Sequence, residues 1–350
     1  MKSLSIGLFV CLAAGCGTSD SPADAADDGG ALIDATTIID AITDSITPTN
    51  PDITASITPD SGAPVIYSQP GPEKVVTTTA TATLSSALVT VTIYLPSTTS
   101  GLHPAVFLSP GYGQPAAAYL PYAERLASFG VIVLLRDDPG VLVDTTTTAA
   151  QLEELVGTWL PAESAKASGP LAGRVDVSRI GLMGHSRGGQ ASLVAATTKL
   201  KGKVHSFFGL DAVDTAQGGA TARAGLPGIG IPTAFLGETL DGTPIAGAAM
   251  ACAPAADNYQ QLYAAAPSPS LLLTAVGAAH FDFAVIAQTV GASFCHAGTA
   301  DPTQVLAMAV TLSTGFFARD LLGAAAVGAN LDGAGAAGYI GSGLLTRSQK

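Results

Sequence analysis

Threonine and valine alternate loosely along Val75 to Thr83 and Ala87 to Leu95, which predicts an opening antiparallel pair of strands. Ala105 to Leu108 is a short apolar run leading into Ser109-Pro110-Gly111-Tyr112-Gly113. A helix is expected through Tyr119, Tyr122, Leu126 and Ala127, closing at Gly130, because glycine readily adopts the backbone conformation that ends a helix. Val131 to Leu135 is apolar on both faces, the pattern of a buried parallel strand. Gln151 to Leu160 reads as helix, with a loop to Gly173, and Arg179 to Met183 as another strand, followed by an Ala-rich helix from about Gln190. Beyond it, Val204 to Leu210, Thr233 to Gly237 and Ser270 to Val276 read as strands. Asp257 to Ala266 reads as a short helix and Pro302 to Leu322 as a long apolar-faced one, while the Gly/Ala-rich residues past Gly323 give no element. Strands alternating with helices predict an α/β fold: a mostly parallel central sheet with helices on both faces. In such sheets the chemistry gathers beyond the carboxyl ends of the strands. Ser186, Asp211, Asp241 and His280 all fall there.

The front of the chain follows a different pattern. Lys2 and the apolar run Leu4 to Ala14 read as an export signal, too short to span a bilayer as a helix. It ends in Leu12-Ala13-Ala14-Gly15-Cys16, which resembles the lipobox of bacterial lipoproteins, with Ala13 where leucine is more usual. The expectation is a signal over 1–15, a lipidated Cys16, an acidic disordered tether over 16–61 and a catalytic domain over 62–350. Gly17 rather than aspartate after the cysteine favours, by the same resemblance, the outer membrane or cell surface. The stretch 17–60 holds nine aspartates and neither Lys nor Arg, so it has little apolar surface to offset chain entropy.

Composition changes the picture in two ways. The formal charge is −12, and with nine negative charges in the tether and Lys2 removed, about −4 stays on the body. No basic face for nucleic acid is evident. About 290 residues remain for one sizeable domain. Of four cysteines, Cys11 leaves with the signal and Cys16 would carry lipid, so Cys252 and Cys295 are expected to pair in an oxidising compartment. Two free buried thiols are the alternative, since spacing alone cannot bring sulfurs together.

The chemistry concentrates in Gly184-His185-Ser186-Arg187-Gly188-Gly189, between the strand ending in Ile180-Gly181-Leu182-Met183 and the helix from Gln190. This strand, turn and helix resemble the G-x-S-x-G nucleophile elbow of α/β-hydrolases, in which glycines flanking a strained serine avoid collision across the turn. The resemblance implies the order Ser, acid, His, leaving His280 or His296 as base. His280 directly follows a strand among small residues and is preferred. His185 is expected to pack or hydrogen-bond beneath the sheet end, and His103 and His205 to be structural or surface residues. Asp211 and Asp241, each behind a strand, are both open as the acid. The Arg187 and Tyr112 N–H groups are the expected oxyanion donors. No metal-ligand spacing is evident, and no metal or organic cofactor is implied.

Two narrower resemblances diverge on the acid. The elbow, Gly209-Leu210-Asp211-Ala212-Val213-Asp214, Cys252-Ala253-Pro254, Asn258-Tyr259, Leu262-Tyr263 and Ala279-His280-Phe281-Asp282 are together similar to the chlorophyllase branch of α/β-hydrolases. That branch, like the platelet-activating-factor acetylhydrolases, implies Asp211 as acid. Ala279 and Ala212 depart from its glycine and proline. Ser109-Pro110-Gly111-Tyr112, Arg125-Leu126-Ala127-Ser128 and Gly277-Ala278-Ala279-His280-Phe281 resemble bacterial cutinases and polyester hydrolases, which imply Asp241. The expectation is a chlorophyllase-like serine esterase with Ser186, His280 and Asp211, monomeric and membrane-bound only through its lipid. The alternatives are a cutinase or lipase-type polyester hydrolase using Asp241, and a non-catalytic binding lipoprotein, which an intact strained elbow disfavours.

Overall fold

The period-two apolar runs pair into one nine-stranded sheet in a computed structural model that describes residues 67–98, 101–137, 144–289, 291–324 and 334–350. The expected signal, Cys16 and the tether lie outside the described residues.

The strands are β1 (Val75–Thr83), β2 (Leu88–Pro96), β3 (His103–Ser109), β4 (Ile132–Asp137), β5 (Val175–His185), β6 (Ser206–Leu210), β7 (Thr233–Gly237), β8 (Ser270–Ala275) and β9 (Leu345–Gln349). Their order across the sheet is β1-β2-β4-β3-β5-β6-β7-β8-β9. From β4 through β8 all neighbours are parallel, and β1, β2 and β9 add antiparallel edges.

Burial on both faces explains the strands' continuous apolar runs. Ala105, Phe107, Ile132, Leu134, Leu182, Phe207 and Phe235 face one core. It is covered by α2 (Thr145–Glu154), a π-helical turn (Leu155–Trp159), α3 (Leu160–Ser164), α4 (Ser186–Thr197) and α5 (Tyr259–Ala265). The alternate residues Val106, Leu108, Val133, Leu135, Met183, Phe208 and Leu236 face the other, under α1 (Leu120–Ser128) and α6 (Pro302–Leu322). Phe208 meets Phe316 of α6 edge-on at 5.5 Å between ring centres. Full burial of such a ring contributes about 1.5–3 kcal/mol. Helix α6 is long and apolar enough to cross a membrane, yet 72% of its apolar window is buried here, as befits a core helix.

Past Gly323, where the residue pattern left the elements open, the structure adds α7 (Ala334–Gly341) and β9. β9 reads Leu-Thr-Arg-Ser-Gln and pairs antiparallel with β8 through backbone groups, which a side-chain pattern does not report.

The registers Ser109 with Gly184, His185 with Leu210, and Leu210 with Leu236 align the carboxyl ends of β3, β5, β6 and β7. Segment 110–112, Ser186, Asp211 and Glu238 therefore emerge side by side, with the His280 loop following β8.

Candidate active site

Ser186 is the first residue of α4 and has φ 53°, one of two non-glycine residues with positive φ among those described. The residues two positions to either side must be small for that turn to close. A Cβ on Gly184 would lie 2.5 Å from Gly188 backbone, and one on Gly188 would lie 2.2 Å from the Ser109 and Pro110 carbonyl oxygens. The strain turns the hydroxyl out of the sheet end, where Ser186 Oγ lies 2.9 Å from His280 Nε2.

The other strained residue is Asp211, at φ 39° directly after β6. Its N–H donates to the Leu236 carbonyl at 2.6 Å, and its Oδ2 lies 2.5 Å from His280 Nδ1. Ser186, His280 and Asp211 thus form one continuous chain. His280 and Asp211 are both buried. Burial raises the Asp211 carboxyl, while its hydrogen bond to His280 and that group's charge pull it back down.

Asp241, the competing acid, does not touch the imidazole. Its Oδ2 accepts the His280 backbone N–H at 2.7 Å and its Oδ1 accepts that of His296 at 2.8 Å. His296 turns its Nε2 toward the Thr243 carbonyl at 3.0 Å, away from the serine. Glu238, the residue directly after β7, is a buried carboxyl. It accepts the Leu240 and Asp241 N–H groups, and burial, followed by the Asp211 charge, pushes it up to about 8. Nothing in its local sequence signals that role. Asp214 accepts the Ala222 and Arg223 N–H groups at 2.7 and 3.0 Å and so holds the loop behind β6.

Tyr112 follows β3 beside the elbow, and Arg187 stands in the first turn of α4. The Arg187 guanidinium lies 3.8 Å over the Tyr112 ring, which is 42% exposed. Cys252 and Cys295 form the expected disulfide, joining the loops behind β7 and β8 with Cα atoms 5.6 Å apart. Among the described residues, one set of potential metal ligands lies within 4.8 Å: Asp241, Cys252 and Cys295. Both its sulfurs are in the disulfide, so it offers no thiolate.

His185 is fully buried, as expected beneath the sheet end, with Nδ1 2.7 Å from Tyr119 Oη and Nε2 2.9 Å from the His280 carbonyl. His103 Nδ1 meets the Gly130 carbonyl at 2.9 Å, a structural contact away from the serine.

Comparison with known proteins favours one of the two resemblances. Cutinase 1 of Thermobifida cellulosilytica is 33% identical over 108 residues, 31% of this chain and 39% of that protein. A bis(hydroxyethyl) terephthalate hydrolase of Streptomyces coelicolor is 34% identical over 110 residues, 31% of this chain and 33% of its own length. The aligned part thus spans under two fifths of either relative. These relatives support the cutinase and polyester-hydrolase resemblance and do not extend to the chlorophyllase branch. The acid that this resemblance implied, Asp241, is nevertheless not the carboxylate on the imidazole. The family described as PETase, PET hydrolase-like, matches residues 49–295, a span that includes Ser186, Asp211, Asp241 and His280. With the parallel sheet and the elbow at its centre, this chain belongs to the PET hydrolase-like family.

Proposed function

We propose that the protein is a serine carboxylic ester hydrolase of the cutinase and polyester-hydrolase type, working through an acyl-enzyme on Ser186. The observation that carries the reading is the unbroken Ser186–His280–Asp211 chain, at 2.9 and 2.5 Å, on a nucleophile held at φ 53°. His280 Nε2 takes the Ser186 proton as Oγ attacks the ester carbonyl. The Tyr112 and Arg187 N–H groups receive the developing oxyanion, each such donor contributing about 2.7–4 kcal/mol to transition-state stabilisation. Asp211 holds the imidazole with Nδ1 protonated and stabilises the imidazolium. His280 then protonates the leaving alcohol, and a water activated by the same nitrogen releases the acid.

Names of the relatives support an ester within a polymer or its small terephthalate fragments as substrate. The Tyr112 ring, with the Arg187 guanidinium over one face, offers its other face as an apolar wall for such an acyl group. On the same reading the protein is exported and held at the outer membrane or cell surface by a lipid on Cys16, with the acidic segment as its tether. It is also a monomer without cofactor.

The test is turnover of p-nitrophenyl esters and release of soluble acid from polyester film by the full chain, beside Ser186→Ala. A wild type that neither turns over any ester nor reacts with a serine-directed phosphonate would leave a binding protein on this fold.

A further inference from the structure

Three buried groups that take no direct part in the reaction above form a second chain beneath the first. The Gly111 N–H donates to Tyr119 Oη at 3.1 Å, Tyr119 Oη meets His185 Nδ1 at 2.7 Å, and His185 Nε2 meets the His280 carbonyl at 2.9 Å. Tyr119 and His185 have no solvent exposure.

Only one proton arrangement satisfies every member. A carbonyl can only accept, so His185 Nε2 carries the proton. Nδ1 then has a lone pair and takes the single hydroxyl proton of Tyr119. The hydroxyl oxygen in turn accepts from Gly111. His185 is therefore neutral and locked in one tautomer. Burial, then the nearby His280 ring 4.6 Å away, hold its imidazole well below the ordinary histidine range, and burial holds Tyr119 above the ordinary phenol range. The fit is tight at the Gly111 end, where an added Cβ would lie 2.8 Å from His185 Nδ1.

What the chain joins gives it meaning. Gly111 precedes the oxyanion donor Tyr112, His185 precedes the nucleophile, and the accepting carbonyl belongs to the base. We infer that Tyr119 and His185 are positioning residues that set the oxyanion loop, the elbow and the His280 loop at fixed spacing through one directional hydrogen-bond chain. The inference rests on the esterase reading for the reaction being positioned. Transition-state geometry is sensitive to displacements of about an ångström, whereas ground-state binding of an ester is less so. Cutting the chain therefore slows turnover more than it weakens binding.

The test uses the full-length protein and Tyr119→Phe, which keeps the ring and removes the hydroxyl. On p-nitrophenyl butyrate, kcat is expected to fall about ten- to a hundredfold while KM stays within about threefold. The melting temperature should move by only a few degrees. Nitrogen-15 NMR of histidine-labelled wild type at pH 7 should show His185 with Nε2 protonated and Nδ1 as an acceptor. This readout needs no activity and no variant. A kcat within about twofold of wild type, a KM rise matching the kcat loss, or a His185 protonated at Nδ1 would each overturn the inference. Wild type without ester turnover would instead sink the esterase reading, so the two failures are distinguishable.

Discussion

Replacing Asp211 by asparagine separates the two candidate acids with an almost isosteric change. Asp211 Oδ2 lies 2.5 Å from His280 Nδ1 with both side chains buried, at 0% and 5% exposure. When Ser186 attacks, the imidazole gains a unit charge about 4 Å from the centre of the carboxylate. At an effective dielectric of about 20 that attraction is about 4 kcal/mol, about a thousandfold in rate. Asparagine also allows its amide hydrogens to face Nδ1, which favours the tautomer that cannot accept the serine proton, so the total loss in kcat is expected at about 10³–10⁴. Asp241→Asn should behave differently. Its carboxylate holds the His280 and His296 backbone N–H groups at 2.7 and 2.8 Å, and a carboxamide oxygen still serves one of them. Stability should fall by about 1–3 kcal/mol and kcat by less than about tenfold. The assay is kcat and KM on p-nitrophenyl butyrate at pH 8, with melting curves for all three proteins. An Asp211→Asn variant retaining more than about a tenth of wild-type kcat, or an Asp241→Asn variant that is the slower of the two, would refute the assignment.

Three other outcomes follow from separate parts of the fold. Glu238 is raised to about 8, chiefly by burial, so the folded state holds its proton more tightly than the unfolded chain does. Its contribution to stability is complete below the ordinary carboxylate range and is lost as pH rises toward about 8. Glu238→Gln should therefore melt near wild type at pH 4.5 and above it at pH 9, and a difference independent of pH would count against the argument. Removing the disulfide as Cys252→Ser with Cys295→Ser opens a loop closed across a separation of 43 residues. The chain-entropy model puts that loss at about 4 kcal/mol, measurable by denaturant unfolding, and a loss under about 1 kcal/mol would show that the loops hold together without it. Gly188→Ala would drive a Cβ to 2.2 Å from two carbonyl oxygens of the segment leading to Tyr112. It should cost about 3 kcal/mol or more and abolish turnover, whereas normal activity would mean the elbow can relax.

The hydrophobic pattern by itself determined the alternation of elements and their two-sided burial, because a strand covered on both faces must be apolar at every position. Val133 and Leu134 turn to opposite cores, and both had to be apolar. The elbow was legible for a similar reason, since the turn at Ser186 has no room for a side chain two residues before or after it. His280 was legible from its place behind a strand, and the Cys252–Cys295 pair from counting. The polar edge strand β9 and the Ala/Gly helix before it were not, because their pairing is carried by backbone groups and weakly patterned side chains. The choice between Asp211 and Asp241 also had to wait for the tertiary structure. Both follow strands, and both carboxylates touch His280. One meets its ring and the other its backbone, a difference fixed by the left-handed turn at Asp211 and by where the β8 loop folds back over β6 and β7. Tyr119 belongs to the same class: nothing in an amphipathic helix start marks one tyrosine hydroxyl as the group that meets a histidine 66 positions later. Chain order sets what a residue can do, and only the packing of distant loops sets which atom it does it to.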